Sequence, residues 1–162
     1  MQLRPHQELA LTQVRQAIKE GFKKPVIAAP TGFGKTVLAA QIMKNCQDRG
    51  KRGFFFCDRI KLVNQTIEKF SEFNIDFGVM QSDHPMRRPS APIQIVSIQT
   101  FAALVKANNG RFPDMDMAMV DECATQYQII KDLMESFNNI PIIGLDATPL
   151  TKGLGKMYNK LL

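Results

Sequence analysis

The segment APTGFGKT, residues 29–36, contains the residue types that point most directly to chemistry. It matches the phosphate-binding pattern GxxxxGK[ST] except at the first position, where alanine replaces glycine. Gly32 and Gly34 let the backbone N–H groups turn toward phosphate oxygens, and the helix-like run that follows adds the positive end of its dipole. The pattern predicts that Lys35 reaches the β- and γ-phosphates of a nucleotide and that the Thr36 hydroxyl ligates Mg²⁺. The structural alternative is a glycine turn before a helix that happens to contain Gly-Lys-Thr.

A second acidic element lies in MAMVDEC, where Asp121 and Glu122 follow an apolar strand-like run. The carboxyl edge of an open parallel sheet is where ligands bind. Asp121 is therefore predicted to hold the Mg²⁺ shell, and Glu122 to orient and deprotonate an attacking water. An Asp-Glu pair alone also suits helix capping. Combined with the phosphate loop it favours hydrolysis, because a kinase acting on a metabolite must exclude water.

Strand-like and helix-like stretches alternate along the whole chain. Apolar runs predict strands at residues 25–29, 53–57, 76–80, 93–97, 117–121 and 140–145. Helical spacing predicts helices at residues 7–22, from Val37 to Cys46, from an Asp58 N-cap to Phe70, at residues 98–107 and around residues 127–137. Residues 82–92 are too rich in proline for either state. Continuous apolar strands separated by helices predict an α/β fold, with a parallel sheet covered by helices on both faces.

Composition limits the function classes further. The chain has 162 residues, of which 44% are hydrophobic and 22% charged, and this is typical of one compact domain. No segment has the roughly 18 uninterrupted apolar residues of a membrane span, so a soluble, cytoplasmic protein is expected. Cys46, Cys57 and Cys123 are too far apart to suggest a metal or disulfide framework and are expected to be reduced, packed thiols. The net charge of +6 fits a polyanionic partner, although the basic residues are scattered and also suit a solvated surface.

Taken in order, these motifs resemble those of the first RecA-like domain of superfamily 2 helicases and translocases. APTGFGKT resembles motif I, in which alanine often comes first, and VDEC resembles motif II of the DExH type. LRPHQ is similar to the segment that contacts adenine, with Gln7 at the position of the base-reading glutamine. The resemblance implies that ATP is bound by Arg4, Gln7, Thr31, Gly32, Phe33, Gly34, Lys35 and Thr36. The chain is most like the branch that includes DNA repair helicases and restriction-enzyme motor subunits.

Two further segments resemble the family's nucleic-acid track. DRIKLVNQT looks like motif Ia and SIQTF like motif Ib. The resemblance implies contacts to the nucleic-acid backbone from Arg59, Gln65, Ser97 and Thr100. A cation and small hydroxyls near helix starts suit phosphates and would carry little sequence information. The alternative for Arg59 and Gln65 is a solvated helix face.

GLDATP resembles motif III, which links the nucleotide state to the grip on nucleic acid in this family. The resemblance gives that coupling role to Asp146, Ala147 and Thr148. Two residues depart from the pattern: Ala124 stands where DExH proteins have histidine, and Asp146 where serine or threonine is usual. The Ala124 side chain cannot form a hydrogen bond. The sequence therefore leaves open whether hydrolysis is coupled to movement.

Residues 1–162 are expected to form a single RecA-like ATP-binding domain, the first of two in a longer protein. The family's second domain closes over ATP and contributes an arginine finger, and these 162 residues are too few to encode it. TKGLGKMYNKLL resembles the segment just before the interdomain linker. An excised first domain is expected to hydrolyse ATP very slowly by itself.

Three function classes fit these observations. The first is an ATP-dependent motor on nucleic acid, with DNA favoured over RNA. The second is a module that binds nucleotide and nucleic acid without turnover, its coupling lost through Ala124 and Asp146. The third is a P-loop transferase for a metabolite, which would need a lid and an acceptor pocket. The order of the segments resembling motifs Ia, Ib and III favours the first class over the third, and an intact Glu122 favours it over the second.

Overall fold

The structure, a computed structural model, describes residues 2–30, 32–58, 60–147 and 153–162. The predicted site residues Thr31, Arg59 and Thr148 lie outside these ranges. The strands are β1 (Pro25–Ala28), β2 (Gly53–Cys57), β3 (Phe77–Met80), β4 (Ile93–Ser97), β5 (Met117–Asp121), β6 (Ile142–Asp146) and β7 (Lys160–Leu161). The helices are α1 (Pro5–Lys19), α2 (Lys35–Asp48), α3 (Ile60–Glu72), α4 (Ile98–Ala107) and α5 (Gln128–Ser136), followed by a short 3₁₀ turn at Leu154–Lys156.

These strands form one parallel sheet in the order β3-β4-β2-β5-β6-β1-β7. Each of β2, β4 and β6 is buried along its whole length, as their continuous apolar sequences require. Side chains alternate between the two faces of a strand. Phe55 therefore packs into a core with α1, α2 and α3, whereas Phe54 and Phe56 pack on the other face with α4 and α5. The predicted α/β fold with helices on both faces is confirmed.

The first and last residues of some helices and strands differ from the predictions, because the apolar pattern does not define those ends. Helix α1 begins at Pro5 rather than at residue 7, since proline lacks only an N–H that the first turn does not use. It ends at Lys19, and Gly21 follows with a φ of +99°, which a helix cannot continue through. Strand β6 begins two residues later than predicted and extends to Asp146. Strand β7, which the sequence did not reveal, pairs with β1.

The three cysteines are free and buried, as expected. Burial raises the pKa of the Cys46 thiol to about 11 and that of the Cys57 thiol to about 12. Both thiols therefore stay protonated at neutral pH and act as packing groups. Among the described residues the longest helix has 15 residues, and no helix is long and apolar enough to cross a bilayer.

Candidate nucleotide-binding site

Strand register brings the two predicted phosphate motifs to one edge of the sheet. Strand β6 lies between β1 and β5, with Ala28 opposite Asp146 and Asp121 opposite Leu145. The loop that follows β1 continues this edge, because the Ala29 N–H donates to the Asp146 carbonyl at 2.8 Å. The phosphate loop, Asp121 and Asp146 therefore meet at the carboxyl ends of three neighbouring strands.

The phosphate loop has the backbone of an anion site. Gly32 and Gly34 have φ angles of +84° and +79°, a left-handed conformation that favours glycine. Helix α2 begins at Lys35, and its first internal bond runs from the Leu38 N–H to the Gly34 carbonyl, at 3.2 Å. The N–H groups of the first turn, which includes the half-buried Thr36, thus have no partner within the helix. Such a turn offers donors and a positive dipole end to a phosphate.

Three side chains from the start of α1 hold the loop carbonyls. The Phe33 carbonyl accepts bonds from Arg4 Nη2 at 3.2 Å, His6 Nε2 at 2.9 Å and Gln7 Nε2 at 3.1 Å. Gln7 Nε2 also donates to the Gly34 carbonyl at 3.1 Å, and Gln7 Oε1 accepts the Arg4 N–H at 2.8 Å. Gln7 is buried, so its amide fixes the loop to α1. The N-cap and first turn of α1 therefore hold two carbonyls of the phosphate loop in place.

His6 is the residue of this cluster that the sequence analysis missed. Its ring also packs edge-on against the Phe33 ring, with centroids 4.7 Å apart. The sequence feature that could have identified His6 is its position between Arg4 and Gln7, on the first turn of an N-terminal helix. No local pattern predicts that this turn lies against a loop some 26 residues further along the chain.

An ion pair joins the phosphate loop to the acidic strand end. Lys35 Nζ lies 3.1 Å from Asp121 Oδ1, and the Asp121 side chain is only 5% exposed. The same oxygen accepts the Glu122 N–H at 3.0 Å. The two motifs predicted to act on one nucleotide are therefore in direct contact.

Glu122 begins a turn that β6 holds in place. Glu122 has a φ of +52°, which is uncommon for a residue with a side chain. The next two N–H groups bond to β6: Cys123 N–H donates to the Leu145 carbonyl at 3.1 Å, and Ala124 N–H to Asp146 Oδ2 at 2.8 Å. Asp146 is 7% exposed. The two segments that resemble motifs II and III are thus linked through the backbone at position 124, and the link needs no side chain there.

Cys123 and Ala147, which directly follow Glu122 and Asp146, do not add a second reactive group to the site. Burial raises the pKa of the Cys123 thiol to about 12, and the charge of Asp146 adds to this effect. Cys123 is therefore a protonated packing residue beneath the turn. Ala147 is exposed, directly after β6.

Removing the Asp146 carboxylate should destabilise the fold. In Asp146→Ala the half-buried Ala124 N–H loses its acceptor, and we expect a loss of about 1 kcal/mol of unfolding free energy, at the lower end of the cost of an unsatisfied buried donor. Asp146→Asn retains a carbonyl oxygen at the same place and should recover most of that loss. Urea unfolding of both variants measures the difference. Equal losses in the two variants would contradict the assigned role of the hydrogen bond.

Thr36 and Asp121 fit the predicted Mg²⁺ ligands in chemical type. One supplies a hydroxyl from the first turn of α2 and the other a carboxylate from the end of β5. The described residues contain no cluster of three or more His, Cys, Asp or Glu side chains that could hold a metal by itself. Mg²⁺ does not require one, since it is usually bound by one or two carboxylates together with substrate phosphates.

The predicted nucleic-acid residues differ in their accessibility. Gln65 is exposed on α3. Ser97 is buried, and its hydroxyl donates to Gln99 Oε1 at 3.2 Å, whereas the half-buried Thr100 Oγ1 accepts the Ser82 N–H at 3.1 Å. Gln99, which the sequence analysis did not single out, is exposed and also donates to Asp58. Gln99 therefore connects the segments that resemble motifs Ia and Ib.

A parallel sheet with a phosphate loop after β1 and an Asp-Glu pair at the end of β5 defines a P-loop nucleotide-binding domain of the RecA-like type. Comparison with solved structures agrees. The UvsW helicase from bacteriophage T4 superposes with a TM-score of 0.80 at 15% identity, over 100% of this chain and 60% of that one.

Comparison with protein families gives the particular family. Residues 1–151 match the family described as "Type III restriction enzyme, res subunit", and the chain belongs to this family. It is an ATP-binding domain of the superfamily 2 helicase and translocase class.

Two curated relatives show the same similarity at the sequence level. The chain is 29% identical to the type I restriction enzyme SauCOLORF180P endonuclease subunit of Staphylococcus aureus (strain COL), over 92% of this chain and 17% of that protein. It is 26% identical to the ATP-dependent DNA helicase Hel308 of Aeropyrum pernix, over 82% of this chain and 20% of that protein. The chain thus spans about a fifth of the length of these relatives.

Proposed function

We propose that this chain is the first motor domain of an ATP-dependent translocase or helicase that acts on nucleic acid, with DNA as the preferred track. The observation that carries the proposal is the 3.1 Å contact between Lys35 and Asp121, which unites the phosphate loop with the acidic strand end. The name of the Aeropyrum relative, an ATP-dependent DNA helicase, supports DNA as the partner. The net charge of +6 is consistent with a polyanion.

In the proposed mechanism the loop N–H groups and Lys35 hold the phosphates of ATP. Lys35 then exchanges its bond to Asp121 for the β- and γ-phosphate oxygens, which frees the Asp121 carboxylate. Thr36 and Asp121 would hold Mg²⁺, which neutralises developing charge on the phosphates when it is bound. Arg4 and Gln7 keep the loop in its binding conformation through the Phe33 and Gly34 carbonyls.

Glu122 is proposed to take the proton of the attacking water. The hydrogen bond from Ala124 to Asp146 holds the turn that carries it, so that the base has a fixed position relative to the phosphate loop. A second RecA-like domain of the longer protein would complete the site and supply an arginine. An arginine finger is worth about 10³–10⁵ in rate where it has been measured.

The alternative function is a module that binds nucleotide and nucleic acid without turnover. Its motivation was two departures from the family pattern, namely Asp146 and the absence of a hydrogen-bonding side chain at position 124. The contact between the Ala124 N–H and Asp146 weakens that motivation, because the turn is held without such a side chain. The retained carboxylate of Glu122 also favours turnover, since a module without hydrolysis has no need of a base.

Hydrolysis by the full-length protein tests the proposal. We expect the ATP hydrolysis rate to rise on addition of single-stranded or duplex DNA, and to rise less with RNA. The rate should be measured with no nucleic acid and with each of the three polymers. Stimulation by RNA alone would overturn DNA as the track. A rate near zero throughout, with ATP still bound, would favour the module without turnover.

A further inference from the structure

A cavity of about 660 Å³ lies between α5 and the C-terminal segment, residues 153–159. None of the residues assigned above to nucleotide, metal or nucleic acid lines it. Its charged lining residues are Lys24, Lys131, Lys156 and Glu135. We call it the lysine cavity. It has two more positive than negative groups at neutral pH.

The lysines of this cavity have no counterion in the part of the chain that the structure describes. None of the three is within ion-pair distance of a carboxylate there. This includes Glu135, which lies one helical turn after Lys131 on α5, a spacing that often gives an ion pair. Lys24 and Lys131 are half-buried and Lys156 is exposed, and three like charges that line one cavity repel each other. An anion in the cavity would relieve that repulsion.

The C-terminal segment forms a fixed wall for the cavity. Its Asn159 N–H donates to the Lys24 carbonyl at 2.8 Å, and Asn159 Oδ1 accepts the Lys24 N–H at 3.1 Å. Leu154 and Tyr158 are buried against the core. The backbones that carry Lys24 and Lys156 are therefore held to the same frame, which reduces the ordering that binding of a ligand would require.

We propose that the lysine cavity binds phosphates of a nucleic-acid backbone, as a contact separate from the predicted track at Gln65 and Thr100. The proposal takes its partner from the proposed function, while the anion site itself rests on the charges and the cavity. Lysine presents a compact point charge that suits phosphate. The aromatic ring in the lining, Tyr158, is buried and offers no surface for base stacking. Because lysine contacts to phosphates carry no sequence information, the contact is expected to be independent of sequence.

Salt-dependent binding of labelled single-stranded and duplex DNA to this chain tests the proposal. The variant is Lys131→Glu with Lys156→Glu, and the matched control is Lys19→Glu with Lys51→Glu. The control changes the net charge equally, at two exposed lysines outside the cavity. Each phosphate contact contributes about 0.7–0.9 to the slope of log K against log salt. For its two lysines we expect the cavity variant to lose about 1.4–1.8 of that slope and at least about tenfold in affinity, with little change in the control.

The other outcomes are equally specific. Equal losses in the two variants would overturn the proposal, because general charge would then explain binding. No loss in the cavity variant would also overturn it, because the cavity lysines would then not contact the DNA. Loss of tripolyphosphate binding with unchanged DNA binding would overturn nucleic acid as the occupant and assign the cavity to a free polyphosphate. Thermal unfolding of each variant shows that it is folded.

Measurement of ATP binding by the same wild-type chain separates this inference from the proposed function. If the wild-type chain failed to bind ATP but the cavity variant lost salt slope as expected, the nucleotide assignment would fail and the cavity proposal would stand. If the wild-type chain bound ATP and the cavity variant kept the wild-type salt slope, the nucleotide assignment would stand and the cavity proposal would fail.

Discussion

Replacing Glu122 with glutamine should lower the ATP hydrolysis rate of the full-length protein by about 10²–10⁴, the usual contribution of a general base. Glutamine has the same size but cannot accept the proton of the attacking water. Because the turn is held by backbone bonds to β6, the substitution should leave the position of residue 122 unchanged. ATP binding should therefore persist.

The measurement is the steady-state hydrolysis rate at saturating ATP and DNA, with a fluorescent nucleotide to follow binding. Glu20→Gln is the matched control, since Glu20 is an exposed glutamate at the end of α1, away from the site. A rate within threefold of the wild type would mean that another group is the base. Loss of nucleotide binding would mean that the substitution had altered the site itself.

Replacing Lys35 with alanine should weaken ATP binding by about 100-fold or more. Charge-assisted hydrogen bonds contribute about 1.5–3 kcal/mol each, and each 1.4 kcal/mol corresponds to a factor of ten in affinity. Two such bonds to the β- and γ-phosphates give the expected loss. The substitution also removes the partner of Asp121, whose side chain is 5% exposed.

Equilibrium binding of ATP to this chain measures the effect, with thermal unfolding to confirm that each variant is folded. Lys44→Ala is the control, because Lys44 also lies on α2 and pairs with Asp48 at 3.4 Å on its exposed side. Lys35→Arg retains the cation and should bind more tightly than Lys35→Ala. Undiminished binding by Lys35→Ala would refute the assignment of the loop.

The sequence determined the elements and the chemical types at the site. Strands β2, β4 and β5 and helix α4 have the bounds that the apolar pattern predicted, because burial on both faces of a parallel sheet demands continuous apolar runs. The glycines of the phosphate loop and the Gly-Lys-Thr that follows are a contiguous pattern with local causes. The positive φ angles of Gly32 and Gly34 could be expected from the sequence, because glycine adopts this conformation without strain.

The sequence predicted that the phosphate loop and Asp121 serve one site, and the tertiary structure decided which atoms of distant residues are in direct contact. Strand order places β6 between β1 and β5, and this brings Lys35 to Asp121 and Asp146 to the Ala124 N–H. From the sequence, the departures at Ala124 and Asp146 left the coupling of hydrolysis to movement open, because the backbone N–H of residue 124 was not considered as a donor. The His6 contact with the loop and the pairing of β7 with β1 were also outside its reach. Local patterns specify elements, whereas contacts between residues far apart in the chain depend on how those elements pack.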